Sequence, residues 1–384
     1  MRQLKQLLNA PEGREFLAEN RIFLSQDTFT KHLAAPAKCA LADYLDVGST
    51  KLIYAAQQTY SDCTQSMLDR IALLNDLTHQ PDVFPFFLWV DTDRAGSDPL
   101  MVKFYWSLQG REKSIRLVSK AVEAHEPRFI DIDRSQLQQS MNTLTNYVNQ
   151  TVEWYKRDAA KEKLAPLKSL FLQDLIGTLS EFNHQLASFV LKQHTGFDPF
   201  SVMCSDMLKH NLMTEDIELF LNHLDEAIHV FNETVHTLMQ QDIDPQVRPL
   251  PADYLPLHYS CPVDHTRLTL RRRTQGADTF AVATCSKCGQ SYQFYLGSRQ
   301  LSMAELAQTG RWSPDVCLVV FLNDLVSGYV GGKSSTIYYG LVMKAVLEKV
   351  FHKVGVPILV PPMREPQNGN GQVDGLIYKY LTGI

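Results

Sequence analysis

The feature that most constrains this chain is a glycine-rich turn set between apolar segments near its carboxyl end. The run Val316-Cys317-Leu318-Val319-Val320-Phe321 leads to Gly328-Tyr329-Val330-Gly331-Gly332-Lys333-Ser334-Ser335-Thr336. A helical pattern follows from Ile337 to Phe351, and then Val356-Pro357-Ile358-Leu359-Val360. Buried parallel strands are near-continuous apolar runs, so the segment predicts strand, glycine loop, helix and strand, with the first strand at 316–321. A glycine turn that opens a helix lets backbone N–H groups face an anion. The expectation is an α/β protein that handles a small anionic or nucleotide-like molecule.

The loop is not a Walker phosphate cradle. That motif needs a glycine five residues before the Gly-Lys-Ser/Thr triplet, and here the position holds Ser327, with Gly328 one place late. What remains is a glycine turn with Lys333, Ser334 and helix N–H groups available to an anion, or a tight turn with Ser334 or Ser335 as helix N-cap.

The first hundred residues carry the same α/β pattern. Lys51-Leu52-Ile53-Tyr54-Ala55-Ala56 is a short apolar strand and Thr64 to Leu77 a helical pattern. Phe84-Pro85-Phe86-Phe87-Leu88-Trp89-Val90 is a buried strand that stops at Asp91. Met101 to Leu108 and Ser114 to Val118 predict two antiparallel edge strands. Ser135 to Gln241 is mainly helical, broken near Gly196-Phe197-Asp198-Pro199-Phe200, and Ile217, Leu221, Leu224, Ile228 and Phe231 form an apolar stripe expected in the core. A proline-rich linker, 245–251, precedes a cysteine-containing module that ends near Gly297. The fold class is therefore α/β. A Rossmann-like parallel core spans 1–250, with its helical segment at 135–241, and resumes over 300–384, with a zinc ribbon inserted at 251–299. A chain of 384 residues, 45% hydrophobic, has ample material for such a core.

That module carries the strongest chemical signal. Cys285-Ser286-Lys287-Cys288-Gly289 is one zinc knuckle, and Cys261-Pro262-Val263-Asp264-His265 can supply the other two ligands of a tetrahedral site. The expected set is Cys261, His265, Cys285 and Cys288, with His258 or Asp264 able to replace His265; four such ligands close the site, so the zinc is structural. Leu268 to Leu270 and Phe280 to Val282 alternate like the two strands of a ribbon. Arg267, Arg271, Arg272 and Arg273 on the same module could meet RNA, a nucleotide phosphate or a protein partner, or form a solvated hairpin. A net charge of -5 argues against nonspecific nucleic-acid binding as the whole function. Seven cysteines, with three at metal spacing, fit a reducing compartment. Cys63 lacks a nearby histidine to activate it, and Cys39, Cys204 and Cys317 sit in apolar sequence and are expected to be inert. No run approaches the roughly 18 apolar residues that span a bilayer. The start of the chain lacks the apolar region of a signal peptide, so the expected location is the cytoplasm, with no membrane partner. The sequence sets no oligomeric state.

Four segments together resemble one family. Arg311-Trp312-Ser313-Pro314-Asp315-Val316, Tyr329-Val330-Gly331-Gly332, Ile337-Tyr338-Tyr339-Gly340 and Val354-Gly355-Val356-Pro357-Ile358-Leu359-Val360-Pro361-Pro362 are similar to blocks of the bacillithiol-biosynthesis cysteine-adding enzymes. Those blocks are an "RFSPNV" run, a Gly-Pro-Gly-Glu loop entering a tyrosine- or tryptophan-bearing helix, and a "GVPMPVVxPR" ending. Nearer the amino terminus, Ile53-Tyr54-Ala55-Ala56-Gln57-Gln58 resembles the family's "VTGQQ" strand end. Phe84-Pro85-Phe86-Phe87-Leu88-Trp89-Val90-Asp91-Thr92-Asp93 resembles its "VPVFWVAxEDHD" strand. The resemblance covers about half the chain in the family's order. It implies a Rossmann-like core, related to nucleotidyltransferases and class I synthetases, and a ligase that joins cysteine to an amino sugar; the broader expectation is a ligase or transferase that joins an amino acid or similar acyl donor to a small amine with the help of ATP or another nucleotide. Gln57, Gln58, Asp91 and Asp93 would then be catalytic at the strand ends, with Gly331, Gly332, Lys333, Ser334 and Tyr338 binding substrate or nucleotide. A different class of function, a non-catalytic scaffold whose zinc ribbon binds RNA or protein, is compatible with the same residues.

Overall fold

The computed structural model describes residues 1–48, 50–60, 64–97, 100–104, 113–172, 177–315, 318–362 and 376–383. In chain order its strands are β1 (Ile22–Phe23), β2 (Lys51–Gln58), β3 (Val83–Val90), β4 (Met101–Phe104), β5 (Lys113–Arg116), β6 (Phe200–Met203) and β7 (Tyr254–Ser260). There follow β8 (Arg267–Gln275), β9 (Asp278–Thr284), β10 (Ser291–Gly297), β11 (Trp312–Pro314), β12 (Gly328–Val330) and β13 (Ile358–Leu359). The central sheet runs β1-β13-β12-β2-β3-β6, and every neighbouring pair is parallel.

Both faces of this sheet are covered, which is why its strands read as unbroken apolar runs. Successive residues of a strand point to opposite sides. Leu52, Tyr54, Phe86, Leu88 and Tyr329 enter one core, and Ile53, Ala55, Phe87, Trp89 and Val330 enter the other. The helix Gln65–Leu77 covers the second face with Met67, Ile71, Leu74 and Leu77, at helical spacing. It starts where Thr64 Oγ1 accepts a hydrogen bond from Met67 N, 3.3 Å. Helix Leu179–Thr195 on the same side begins with a reciprocal cap between Thr178 and Glu181 and ends at Gly196 in left-handed conformation. On the first face the expected stripe Ile217, Leu221, Leu224, Ile228 and Phe231 is buried, although the helix breaks at His223 into Thr214–Asn222 and Leu224–Gln240.

The cysteine-bearing segment folds as an antiparallel sheet in the order β10-β9-β8-β7-β11. Its apolar side, including Leu255, Leu257, Leu268 and Leu270, belongs to the same core as Tyr54 and Tyr329. The module is thus cemented to the parallel sheet, and its fifth strand, β11, comes from the stretch beyond 299. Among the described residues no helix is long and apolar enough to cross a membrane.

Three expectations change. Leu318–Leu322 is a short helix, and the strand before the glycine turn is Gly328–Val330. All five helix residues are buried, so the run carries no periodicity that separates strand from helix; Val316 and Cys317 lie outside the described residues. The "break" near Gly196 contains β6, an edge strand of the central sheet. The pair β4–β5 is antiparallel as expected but forms its own two-stranded sheet, and the expected extension of its first strand to Leu108 falls outside the described residues.

Candidate functional site

The order of the central sheet creates one privileged edge. From β2 the chain continues to β3 and β6 on one side, while β12 leads to β13 on the other, so β2 and β12 flank the point where the winding reverses. Ligands of open parallel sheets bind outside the carboxyl ends of the strands at such a point. A cleft of about 890 Å³ lies there.

Each wall comes from a strand end. The end of β2 supplies Gln57 and Gln58, the residues after β3 supply Thr92 and Asp93, and the turn after β12 supplies Gly332, Ser334, Ser335, Tyr338 and Tyr339. The glycine turn and the two glutamines, more than 270 residues apart in sequence, thus face one space. Gln58 Nε2 donates to Asp93 Oδ2, and Tyr60 OH donates to Gln58 Oε1. Asp93 also pairs with Arg267 Nη1 at 3.3 Å.

Asp91 does not line the cleft. It is 1% exposed, and its carboxylate accepts hydrogen bonds from Ser205 N at 2.9 Å, from the Ser205 hydroxyl and from Ser180 Oγ. It anchors the start of helix Cys204–Lys209, and burial raises its pKa against those hydrogen bonds. Of the two aspartates only Asp93 lines the cleft and reaches solvent. Side chains alternate across an extended segment, so a pair spaced by two after a strand is split here only because the chain turns at Thr92.

The glycine turn is more self-contained than its composition suggests. Gly331 N donates to Leu359 O at 2.9 Å, and Gly332 N to Ser335 Oγ at 2.9 Å. Gly332 is the N-cap of the helix, with Ser335 reaching back to it, so neither Ser334 nor Ser335 occupies that position. Gly331 is required because a Cβ there would strike Thr336 Oγ1. Tyr329 OH donates to Ser335 Oγ at 2.9 Å, fixing the hydroxyl. Ser334 is exposed at the cleft edge; Lys333 opens the helix, and its side chain lies outside the described residues. The helix continues through a π-helical turn, Tyr338–Met343, that carries the two tyrosines of the cleft wall.

Two arginines complete the cleft. Arg70, on the helix after β2, is 5% exposed; its Nη2 donates to Gln57 Oε1 at 2.6 Å, its Nε to Ser66 O at 3.1 Å and its Nη1 to Ala56 O. Its place was legible, since it stands three residues after Met67 and four before Leu74 on the buried stripe. Arg267 is the first residue of β8 and is mostly buried. It reaches Glu126, which is fully buried and bonded also to Arg128 Nε at 2.7 Å and Ser313 Oγ at 2.7 Å. Three further arginines of the module have intramolecular partners: Arg271 with Asp253, Arg272 with Asp225, and Arg273 with Gln293.

The thiols gather as expected, with one substitution. Cys261, Asp264, Cys285 and Cys288 place their ligand atoms within 4.8 Å of one another. Two matching turns produce this. His265 N bonds to Cys261 O at 2.8 Å, Gly289 N to Cys285 O at 2.8 Å, and His265 and Gly289 both adopt left-handed backbone. Asp264 therefore occupies in the first turn the place that Cys288 holds in the second. His265, in the place of Gly289, turns its ring outward, where Nδ1 meets Arg311 Nη2 at 2.8 Å. His258 is buried in β7 and does not join the cluster. Burial opposes ionisation of Asp264, but hydrogen bonds from Thr266 and the Cys285 thiol hold its carboxyl below the usual carboxylate range. Three thiols and a carboxylate at this spacing suit a cation, because once the thiols ionise the negative charges repel one another unless a cation lies among them. The signal for Asp264 was present in the sequence as the repeated spacing, Cys-x-x-Asp beside Cys-x-x-Cys.

Of the other cysteines, Cys204 is buried, and burial together with Asp91 pushes its thiol up to about 12, so it is inert. Cys39 is exposed, against the apolar setting expected of it. Cys63 lies outside the described residues. No family model matches this chain, and no curated protein is significantly similar to it in sequence.

Proposed function

We propose that the protein is an enzyme that forms a carbon–nitrogen bond between an amino acid or similar acyl donor, with cysteine as one candidate, and a small amine, using ATP or another nucleotide. It would be a divergent relative of the bacillithiol-biosynthesis cysteine-adding enzymes. The observation that carries this reading is the convergence of Gln57, Gln58, Asp93, Gly332, Ser334 and Tyr338 on one cleft at the reversal point of the sheet. These residues come from separate blocks of the resemblance. In this reading Asp93 holds or deprotonates the amine, with Gln58 and Arg267 fixing its orientation. The tyrosines offer an apolar wall to a ring of the ligand.

Three departures from the family pattern bear on the substrate. The acidic–histidine cluster is Asp91-Thr92-Asp93-Arg94, without its histidine; the glycine before the glutamines is Ala56; and Gly-Pro-Gly-Glu becomes Gly331-Gly332-Lys333-Ser334. They favour an acceptor other than the family's amino sugar. The ion at Cys261, Asp264, Cys285 and Cys288 would be a structural zinc, because thiolate-rich four-ligand sets select it and leave no open position for substrate.

The test is a thermal-shift panel of the zinc-loaded protein against ATP, CTP, cysteine, other amino acids and short RNA, with Asp93→Asn beside wild type. A bound small molecule at a hundredfold excess over its Kd should add about 2.7 kcal/mol of stability. A nucleotide or amino-acid shift that Asp93→Asn reduces supports the enzyme. A salt-sensitive response to RNA alone would replace it with a scaffold whose ribbon binds RNA.

A further inference from the structure

Arg70 presents an imbalance that packing alone does not explain. A buried guanidinium ordinarily sits against a carboxylate, since an uncompensated charge away from water is costly. Among the described residues no carboxylate lies within ion-pair distance of Arg70. Its three hydrogen bonds go to neutral acceptors, one from each nitrogen, and a guanidinium has five N–H groups, so two remain. Asp93, an acidic residue of the cleft, pairs with Arg267.

Position makes the imbalance useful. Arg70 lines the cleft, and a Cβ added to Gly332 would lie 4.0 Å from Arg70 Cζ and Nη1, so the guanidinium sits directly beneath the glycine turn. The N–H groups of Gly331 and Gly332 are already bonded within the protein. The turn therefore contributes room, and the positive charge comes from the side chain below it. Gln57, which holds Nη2, fixes the plane of the fork.

We infer that Arg70 is the binding residue for an anionic group of the ligand, a phosphate or a carboxylate, which enters beside Gly332 and supplies the counter-charge that none of the described residues provides. This rests on the reading of the cleft as a small-molecule site and adds the chemistry that site demands. Either half of the proposed reaction offers such a group, the nucleotide through its phosphates and the amino acid through its carboxylate.

Calorimetric titration of the zinc-loaded protein with matched pairs tests it: ATP against adenosine, cysteine against cysteamine, and pyrophosphate alone. In wild type the anion-bearing member of at least one pair should bind more tightly, and which pair responds identifies the source. Arg70→Met, and Arg70→Gln, which keeps amide donors for Ala56 and Ser66, should weaken that member by roughly ten- to a hundredfold and leave the partner without the anionic group bound no more weakly. Equal affinities within both pairs in wild type, or undiminished affinity in a folded Arg70 variant, would overturn the inference while the cleft remains a binding site. If wild type takes up none of these ligands, the reading of the cleft fails, and the inference with it.

Discussion

Single residues separate three readings that the sequence left together. At the cysteine cluster the spacing of Cys261, Cys285 and Cys288 pointed to a metal, but the fourth candidate ligand depended on backbone geometry. His265 is the better zinc ligand by type, yet its left-handed conformation carries the ring to Arg311 and leaves the position to Asp264. Purified protein should hold one zinc per chain. Cys285→Ser or Asp264→Ala should weaken binding by more than the roughly ten- to hundredfold that losing an outer-shell partner costs, while His265→Ala keeps the metal; elemental analysis with a competing chelator measures all three. The reverse ranking would return His265 to the site. Asp91 and Asp93 teach the same lesson: the pair was conspicuous after an apolar strand, but only the path of the chain at Thr92 decides which carboxylate is buried against Ser205 and which faces the cleft. Arg70 stands on the apolar stripe of its helix, but a charged residue there reads equally well as the boundary of the buried face.

At the scale of elements, strands flanked by turns were read well and all-buried segments were not. β2, β3, β9 and the helix Gln65–Leu77 appear within a residue or two of their expected places, while β8 runs five residues past the expected Leu270. Leu318–Leu322 failed because uniform burial erases periodicity, and β6 because an edge strand of four residues leaves too short a pattern. The π-helical turn Tyr338–Met343 has no sequence signature, yet it sets the direction of the cleft tyrosines. Gly340 lets this turn press on the sheet: a Cβ there would lie 2.6 Å from Ile22 Cδ1 and 3.2 Å from Ile358 Cδ1. Gly340→Ala should therefore cost about 1–3 kcal/mol by overpacking, read from chemical denaturation. Adding Ile22→Val, which removes the clashing methyl, should recover part of the loss; strict additivity of the two changes would place the effect elsewhere.

Across the whole molecule, the parallel core was legible, whereas the fusion of the cysteine module to it was not, because a shared core is a property of contacts between distant segments. Burial also shapes the response to pH. His184, packed edge-on against Trp89, and His258, inside β7, both have their pKa lowered by burial, reinforced at His258 by Arg267 and Arg271. The unfolded chain then binds protons that the folded one refuses, so their contribution is complete above the ordinary histidine value of about 6.5 and is lost as pH falls below it. The melting temperature of the zinc-loaded protein should decline from pH 7 toward pH 5, and His184→Phe should flatten that decline; an unchanged slope would remove His184 from the account. The strand order also bears on how the protein is made. β12 and β13, encoded in the last sixty residues, stand between β1 and β2, encoded in the first sixty. While the nascent chain emerges, β1 has no neighbour and β2 shows one open edge; the edge of β2 cannot be closed before Val330 leaves the ribosome, nor that of β1 before Leu359. Such late, long-range closure makes folding slow and exposes a sticky intermediate, so the emerging chain should depend on chaperones until its final segment arrives.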